Sequence, residues 1–155
     1  MKIRLICMGK SHSKEMKSMI EDFESRIKNY VNFEIECFFI KTKSVHQADI
    51  LRKEMEVILK NKKSSTVLVL LDEKGKSMTS KTFAVFLQEL FNKGVKEINF
   101  VIGGAYGFHD DLYKISHHKI SLSKMTFTHQ MCRLIFVEQL YRGLSILKGE
   151  KYHHD

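Results

Sequence analysis

Two rhythms of apolar residues alternate along this chain, one with the period of a strand and one with the period of a helix. A strand-like run at 2–8, "KIRLICM", is followed by 13–30, where Met16, Met19, Ile20, Phe23 and Ile27 recur at helical spacing behind Ser13, a helix N-cap residue type. At 33–40, Phe33, Ile35 and Cys37 alternate with Glu34 and Glu36, which predicts a half-exposed strand near a sheet edge. A helix is predicted over 47–62 from Ile50, Leu51, Met55, Ile58 and Leu59. The continuous apolar run "STVLVLLD" at 65–72 reads as a central strand ending in the turn chemistry "EKGK". A helix over 79–94 has Thr or Ser at its start and Gly94 at its end, and "EINFVIGG" at 97–104 is a fourth strand. After a short helical piece at 110–117, a fifth strand is predicted at 119–123 and a long helix at 128–148.

Five strands alternating with five helical segments predict an α/β layered fold with a largely parallel sheet, in a single domain over 1–155. The last helix is apolar more widely than one face requires. Two readings stay open for it: burial between its own sheet and a second copy, or immersion in a monomer core.

Composition changes this picture in three ways. At 43% hydrophobic the chain can bury a core without staples, and a formal charge of +8, concentrated toward both ends, favours a polyanionic partner. Cys7, Cys37 and Cys132 lie far apart in apolar runs, without metal or CxxC spacing, and read as thiols of a reducing compartment. No signal-peptide pattern and no membrane-length apolar run is present, so a soluble cytoplasmic protein is expected. His109, His117 and His118 lack neighbouring ligands at metal spacing, and no metal site is expected.

The fourth strand breaks into "GGAYG". A phosphate loop would need Lys and Ser or Thr after its last glycine, where Phe108 and His109 stand. A dinucleotide fingerprint fails on spacing and on the missing downstream acid. A tight turn remains, and its company matters. The stretches "LLDEKGK", "VIGGAYG" and "SLSKMTFTHQ" would leave the sheet on one side, the edge where open α/β sheets bind ligands.

"VIGGAYG", "SLSKMTFTHQMCRLIFVEQLYRG" and the terminal "GEKYHH" together resemble the ribosomal RNA large subunit methyltransferase H family, of the SPOUT superfamily of knotted methyltransferases. The resemblance covers the whole chain. It implies a SPOUT-type parallel-sheet domain with a C-terminal trefoil knot, a homodimer, and S-adenosylmethionine held in the knot mainly by backbone groups. Carried over by motif, the cofactor residues are Leu71, Gly103, Gly104, Leu122, Ser123, Lys124, Met125, Thr126 and Phe127. The implied reaction is methylation of N3 of a pseudouridine in helix 69 of 23S rRNA, on assembled ribosomes.

That reaction needs a proton acceptor for the imide N–H. The tail supplies Tyr152 and His153 as candidates, and it closes over the partner subunit's cofactor in such families; a frayed end is the alternative reading. Arg133 is the arginine of the last helix expected to contact cofactor or RNA. His129, Arg142 and His154 are candidate RNA contacts. Thr128 stands where the family commonly has proline, so a helix start that is kept but less rigid is expected. His154 replaces a basic residue, which would weaken the tail's grip on RNA. Two other functions stay open: a methyltransferase for another RNA, and a catalytically silent RNA-binding module.

Overall fold

The computed structural model describes residues 1–10, 13–41 and 45–152. Its elements alternate as the periodicity predicts: β1 (Lys2–Met8), α1 (Lys14–Lys28), β2 (Asn32–Phe38), α2 (Gln47–Lys60), β3 (Thr66–Ser77), α3 (Ser80–Asn92), β4 (Glu97–Ile102), α4 (Asp110–Ile115), β5 (His118–Ser121) and α5 (His129–Leu147). All strand pairs are parallel, in the order β2-β1-β4-β3-β5. The alternating β2 is an edge strand, and β3 and β4, whose paired stretches are largely buried, are paired on both sides.

Side-chain alternation along the strands divides the core between two faces. Ile3, Leu5 and Cys7 of β1 join Val69, Phe100 and Ile102 in a cluster with α1, α3 and α5. Phe100 and Phe136 meet there with ring centroids 4.8 Å apart. Ile6, Met8, Leu68, Leu70 and Val101 point the other way, against Ile58 of α2 and Leu112 of α4.

Two local features differ from the sequence expectation, and a third keeps the expected helix start by its own means. First, "EKGK" does not end β3. Ile120 of β5 pairs with Leu71 and again with Lys76, so residues between these two pairings bulge out before the strand resumes. The turn chemistry is present inside the bulge, where the Lys74 amide donates to Asp72 Oδ1 at 2.7 Å. At Gly75 a Cβ would lie 2.6 Å from the Ile120 backbone, so no side chain fits where the strand returns. Second, Ser13 occupies the N-cap of α1 without a side-chain cap bond; its own amide donates to Gln130 Oε1 at 2.7 Å. Third, Thr128 is the N-cap of α5, and its hydroxyl accepts from the Met131 amide at 3.3 Å. The residue that replaces proline thus caps the helix through a side-chain oxygen that proline does not have.

α5 buries Phe136, Val137, Leu140 and Leu144 in its own protomer. Met131, Ile135, Glu138, Arg142 and Ile146 fall on a second stripe that is not fully buried. Among the described residues, no helix is long and apolar enough to cross a membrane.

Candidate functional site

The bulge of β3 and the loops that leave β4 and β5 converge, with the first turn of α5, on a cavity of about 460 Å³, within the range of small-molecule sites. The parallel sheet explains the convergence, since every strand delivers its C-terminal end to the same edge.

The β4 loop is a tight reversal. Gly107, at φ 77°, donates its amide to the Gly104 carbonyl at 3.1 Å. A Cβ on Gly103 would stand 2.7 Å from the Gly107 carbonyl oxygen, and one on Gly104 would stand 2.1 Å from Glu54 Oε1. Gly103 is therefore required by space, against backbone, whereas a side chain at Gly104 would have to displace the Glu54 carboxylate. Tyr106 projects from the tip at 51% exposure and lines the cavity. Phe108 turns inward to the core beside Tyr113, with ring centroids 5.9 Å apart.

The β5 loop is held by its own hydroxyls. Ser121 Oγ donates to the Ser123 carbonyl at 2.8 Å, and the Met125 amide donates to Ser123 Oγ at 3.0 Å. Thr126 Oγ1 reaches Glu73 Oε2 of the β3 bulge at 3.3 Å, joining two walls of the cavity. Met125 stands 73% exposed at the mouth.

Of the residues named from sequence, Leu71, Gly103, Gly104, Leu122, Ser123, Met125, Thr126, Phe127 and His129 line this cavity. Lys124 belongs to the same loop but is exposed and lies outside the lining. Arg133 is placed inward. It is 1% exposed and donates from Nη1 to the Lys10 carbonyl at 2.7 Å, so its guanidinium ties α5 to the segment after β1. Arg142 and Tyr152 lie together farther along α5. Arg142 Nε donates to Glu138 Oε1 at 3.0 Å, its guanidinium covers the Tyr152 ring at 4.7 Å, and the Tyr152 hydroxyl donates to Glu138 at 3.3 Å. Neither lines the cavity of its own protomer. His153 and His154 lie outside the described residues.

The cavity also has walls that sequence reasoning did not assign to the cofactor: Asp72, Glu73, Tyr113, Cys132 and Tyr106, whose side of the loop was open in the sequence. The Tyr113 hydroxyl donates to Asp72 Oδ2; burial, and then this carboxylate, push the phenol well above its ordinary pKa. Asp72 and Glu73 were legible as part of a strand-end stretch. Tyr113 carried no such signal, because it arrives from α4, three elements later. Cys132, expected in the core, borders the cavity, and burial raises its thiol pKa.

His129 is held below the ordinary histidine value by burial first and by the Arg133 charge second; contact with the Gly103 carbonyl opposes both. It is a neutral imidazole near pH 7. Three other histidines, His109, His117 and His118, have structural work. His109 caps α4 by accepting from the Asp111 amide at 3.2 Å, His117 Nδ1 accepts from the Leu68 amide at 3.0 Å, and the His118 ring packs edge-on against Phe86. Among the described residues no cluster of His, Cys, Asp or Glu could hold a metal ion.

A protein-family model described as "Predicted SPOUT methyltransferase" matches residues 1–153. The chain is 47% identical over 156 residues to the ribosomal RNA large subunit methyltransferase H of Christiangramia forsetii, covering 99% of each protein. It is 46% identical to the protein of the same name from Flavobacterium psychrophilum, again over 99% of both. Among solved structures, a probable methylase family protein from Haemophilus influenzae shares the fold, with a TM-score of 0.52 at 15% identity over 99% of this chain and 70% of that one. A backbone-walled cavity at the C-terminal edge of a parallel sheet, in a chain nearly half identical to these relatives along its whole length, places the protein: it belongs to the SPOUT methyltransferases and, within them, to the ribosomal RNA large subunit methyltransferase H family.

Proposed function

We propose that the cavity takes S-adenosylmethionine and that the protein methylates N3 of a pseudouridine in helix 69 of 23S rRNA, on assembled ribosomes in the cytoplasm. The observation that carries this reading is the glycine turn, with no room for a Cβ at Gly103 and only the Glu54 carboxylate beside Gly104, set in a cavity whose apolar walls include Leu71, Leu122, Met125 and Phe127. An adenosine fits such a site, through apolar contact on its faces and backbone groups at its edges. Asp72 and Glu73 suit the cationic end of the same molecule. When bound, S-adenosylmethionine supplies a sulfonium methyl group for in-line displacement. Holding that methyl and the nucleobase in register is then the chief task of the protein.

The C-terminal segment is assigned the knotted path of its family, and the active form is a homodimer. The half-open stripe of α5 supports the dimer: Met131 and Ile135 lie along it with Ile146, around the Glu138–Arg142 pair. Tyr152 packs on that same stripe, which puts the tail at the edge of a second copy. On this reading Tyr152 and His153 serve the partner's cavity, with His153 taking the imide proton and Tyr152 stacking on the base. Arg142 and His154 face RNA from the same edge, and Lys124 approaches it from the rim.

Calorimetric titration with S-adenosylmethionine is expected to give one site per protomer. Mapping of modified nucleosides in 23S rRNA from a strain lacking the gene is expected to show loss of the methyl group in helix 69. An unchanged helix 69 would reassign the substrate to another RNA. Absence of binding would leave a silent RNA-binding module.

A further inference from the structure

Glu54 is a carboxylate that neither the cavity lining nor the charge pattern explains. It lies on α2, on the opposite face of the sheet from α5, one helical turn before the buried Ile58 and therefore on the side of the helix that packs inward. It is half-buried and, among the described residues, makes no ion pair. What it meets is the glycine turn. Its Oε1 occupies the space where a Gly104 side chain would begin, at 2.1 Å from that Cβ position, and its charge faces the Gly104 amide. From the cavity side, the first residue of α5, His129, lines the same cavity as Gly103, and the Gly103 backbone is among the groups that act on its imidazole.

The Gly103 carbonyl and the Gly104 amide belong to one peptide group. We propose that Glu54 and His129 are positioning residues that clamp the Gly103–Gly104 peptide plane from its two ends, and so set the shape of the cavity wall that meets the methyl donor. A glycine pair is the most mobile wall a pocket can have, because neither residue has a side chain to restrict its backbone. The clamp removes that freedom. The Glu54 carboxylate acts on the N–H end, the His129 imidazole on the C=O end, and the Gly107 amide holds the next carbonyl, that of Gly104. The glycines thus supply room, and two side chains from opposite faces of the sheet supply rigidity. Half-burial is costly for a carboxylate without a cation, and the backbone amide compensates part of it.

The inference rests on reading the cavity as the donor site, so its test has one arm without the donor. In ligand-free protein, Glu54→Ala is expected to speed hydrogen exchange at residues 104–107 by about tenfold, the equivalent of one lost hydrogen bond, and to weaken S-adenosylmethionine binding by a similar factor. Turnover at saturating donor should stay within about threefold. Glu54→Gln, which keeps an oxygen toward the amide, should recover most of the affinity. Gly104→Ala, which displaces the carboxylate while leaving Glu54 in the chain, should reproduce the Ala effect, and it carries the test if Glu54→Ala does not fold. Wild-type exchange and affinity in Glu54→Ala or in Gly104→Ala would overturn the proposal. A loss of turnover at unchanged affinity would overturn it too, by giving Glu54 a part in the chemistry. A protein that binds no donor but still loosens on Glu54→Ala would defeat the donor site and keep the clamp.

Discussion

At the scale of single residues, the site is built from what the glycines leave out. Gly103→Ala puts a methyl group 2.7 Å from a backbone oxygen that has no flexible route of escape. We expect it to cost about 1–3 kcal/mol of stability and to abolish donor binding, read by urea titration and calorimetry. Thr128→Ala removes the cap of α5 and should cost about 1 kcal/mol, lowering the melting temperature by about 2–4 °C. Cys37 supplies a pH-dependent prediction. It stands opposite Cys7 across the β1–β2 ladder, and the Cys7 thiol, helped by the Arg133 charge and opposed by burial, lowers its pKa to about 7. Only the thiolate is alkylated, so the iodoacetamide rate at Cys37 should reach half its maximum near pH 7. A midpoint at the ordinary thiol pKa would show that the pair does not interact in solution. Gly103 and Gly104 stood out in the sequence because they interrupt a strand. Glu54 did not, since a lone acid on an amphipathic helix shows its meaning only when the opposite loop is in place.

At the scale of elements, hydrophobic rhythm reported order and type well, because each helix buries one stripe and each strand two alternating faces. It failed where geometry is set by a neighbour. The residues of the β3 bulge read locally as a turn, and nothing within those residues reveals that Ile120 will pair on both sides of it. The start of α1 is similar: Ser13 looks like a capping hydroxyl, yet the interaction that matters is its amide against Gln130, 117 residues away. Packing between elements dominates the energetics. Phe136→Ala opens a void against Phe100 in the cluster shared by α5, β4 and α3, and should cost about 3–5 kcal/mol in urea unfolding. That is a large share of the stability of an ordinary domain.

At the scale of the whole molecule, charge and assembly govern function. With a net charge of +8, affinity for ribosomal RNA should fall steeply as salt rises, because phosphate contacts release counterions. Removal of Lys151 to Asp155 should leave dimerisation intact, as measured by light scattering, and abolish methylation, because the tail is assigned to the partner's cavity. Mixing the truncated chain with a Gly103→Ala chain gives a sharper test. A hybrid dimer with one sound cavity and the one tail that serves it should recover part of the activity, whereas tails acting only on their own protomer would recover none. The proposed dimer and crossed tail rest on the family and not on periodicity, which records how apolar a face is and not which molecule covers it.

The ties between α5 and the start of the chain have a consequence for biosynthesis. Arg133 reaches back 123 residues to the Lys10 carbonyl, and Phe136 and Leu140 complete a cluster whose first members, Ile3 and Leu5, emerge from the ribosome at the outset. Until α5 is released, the nascent chain carries an open apolar face on its sheet, so final closure must wait for α5. A chain stopped at Thr128 should therefore remain bound to chaperones or precipitate, and the full-length protein should depend on them most in the moments after its last helix leaves the exit tunnel.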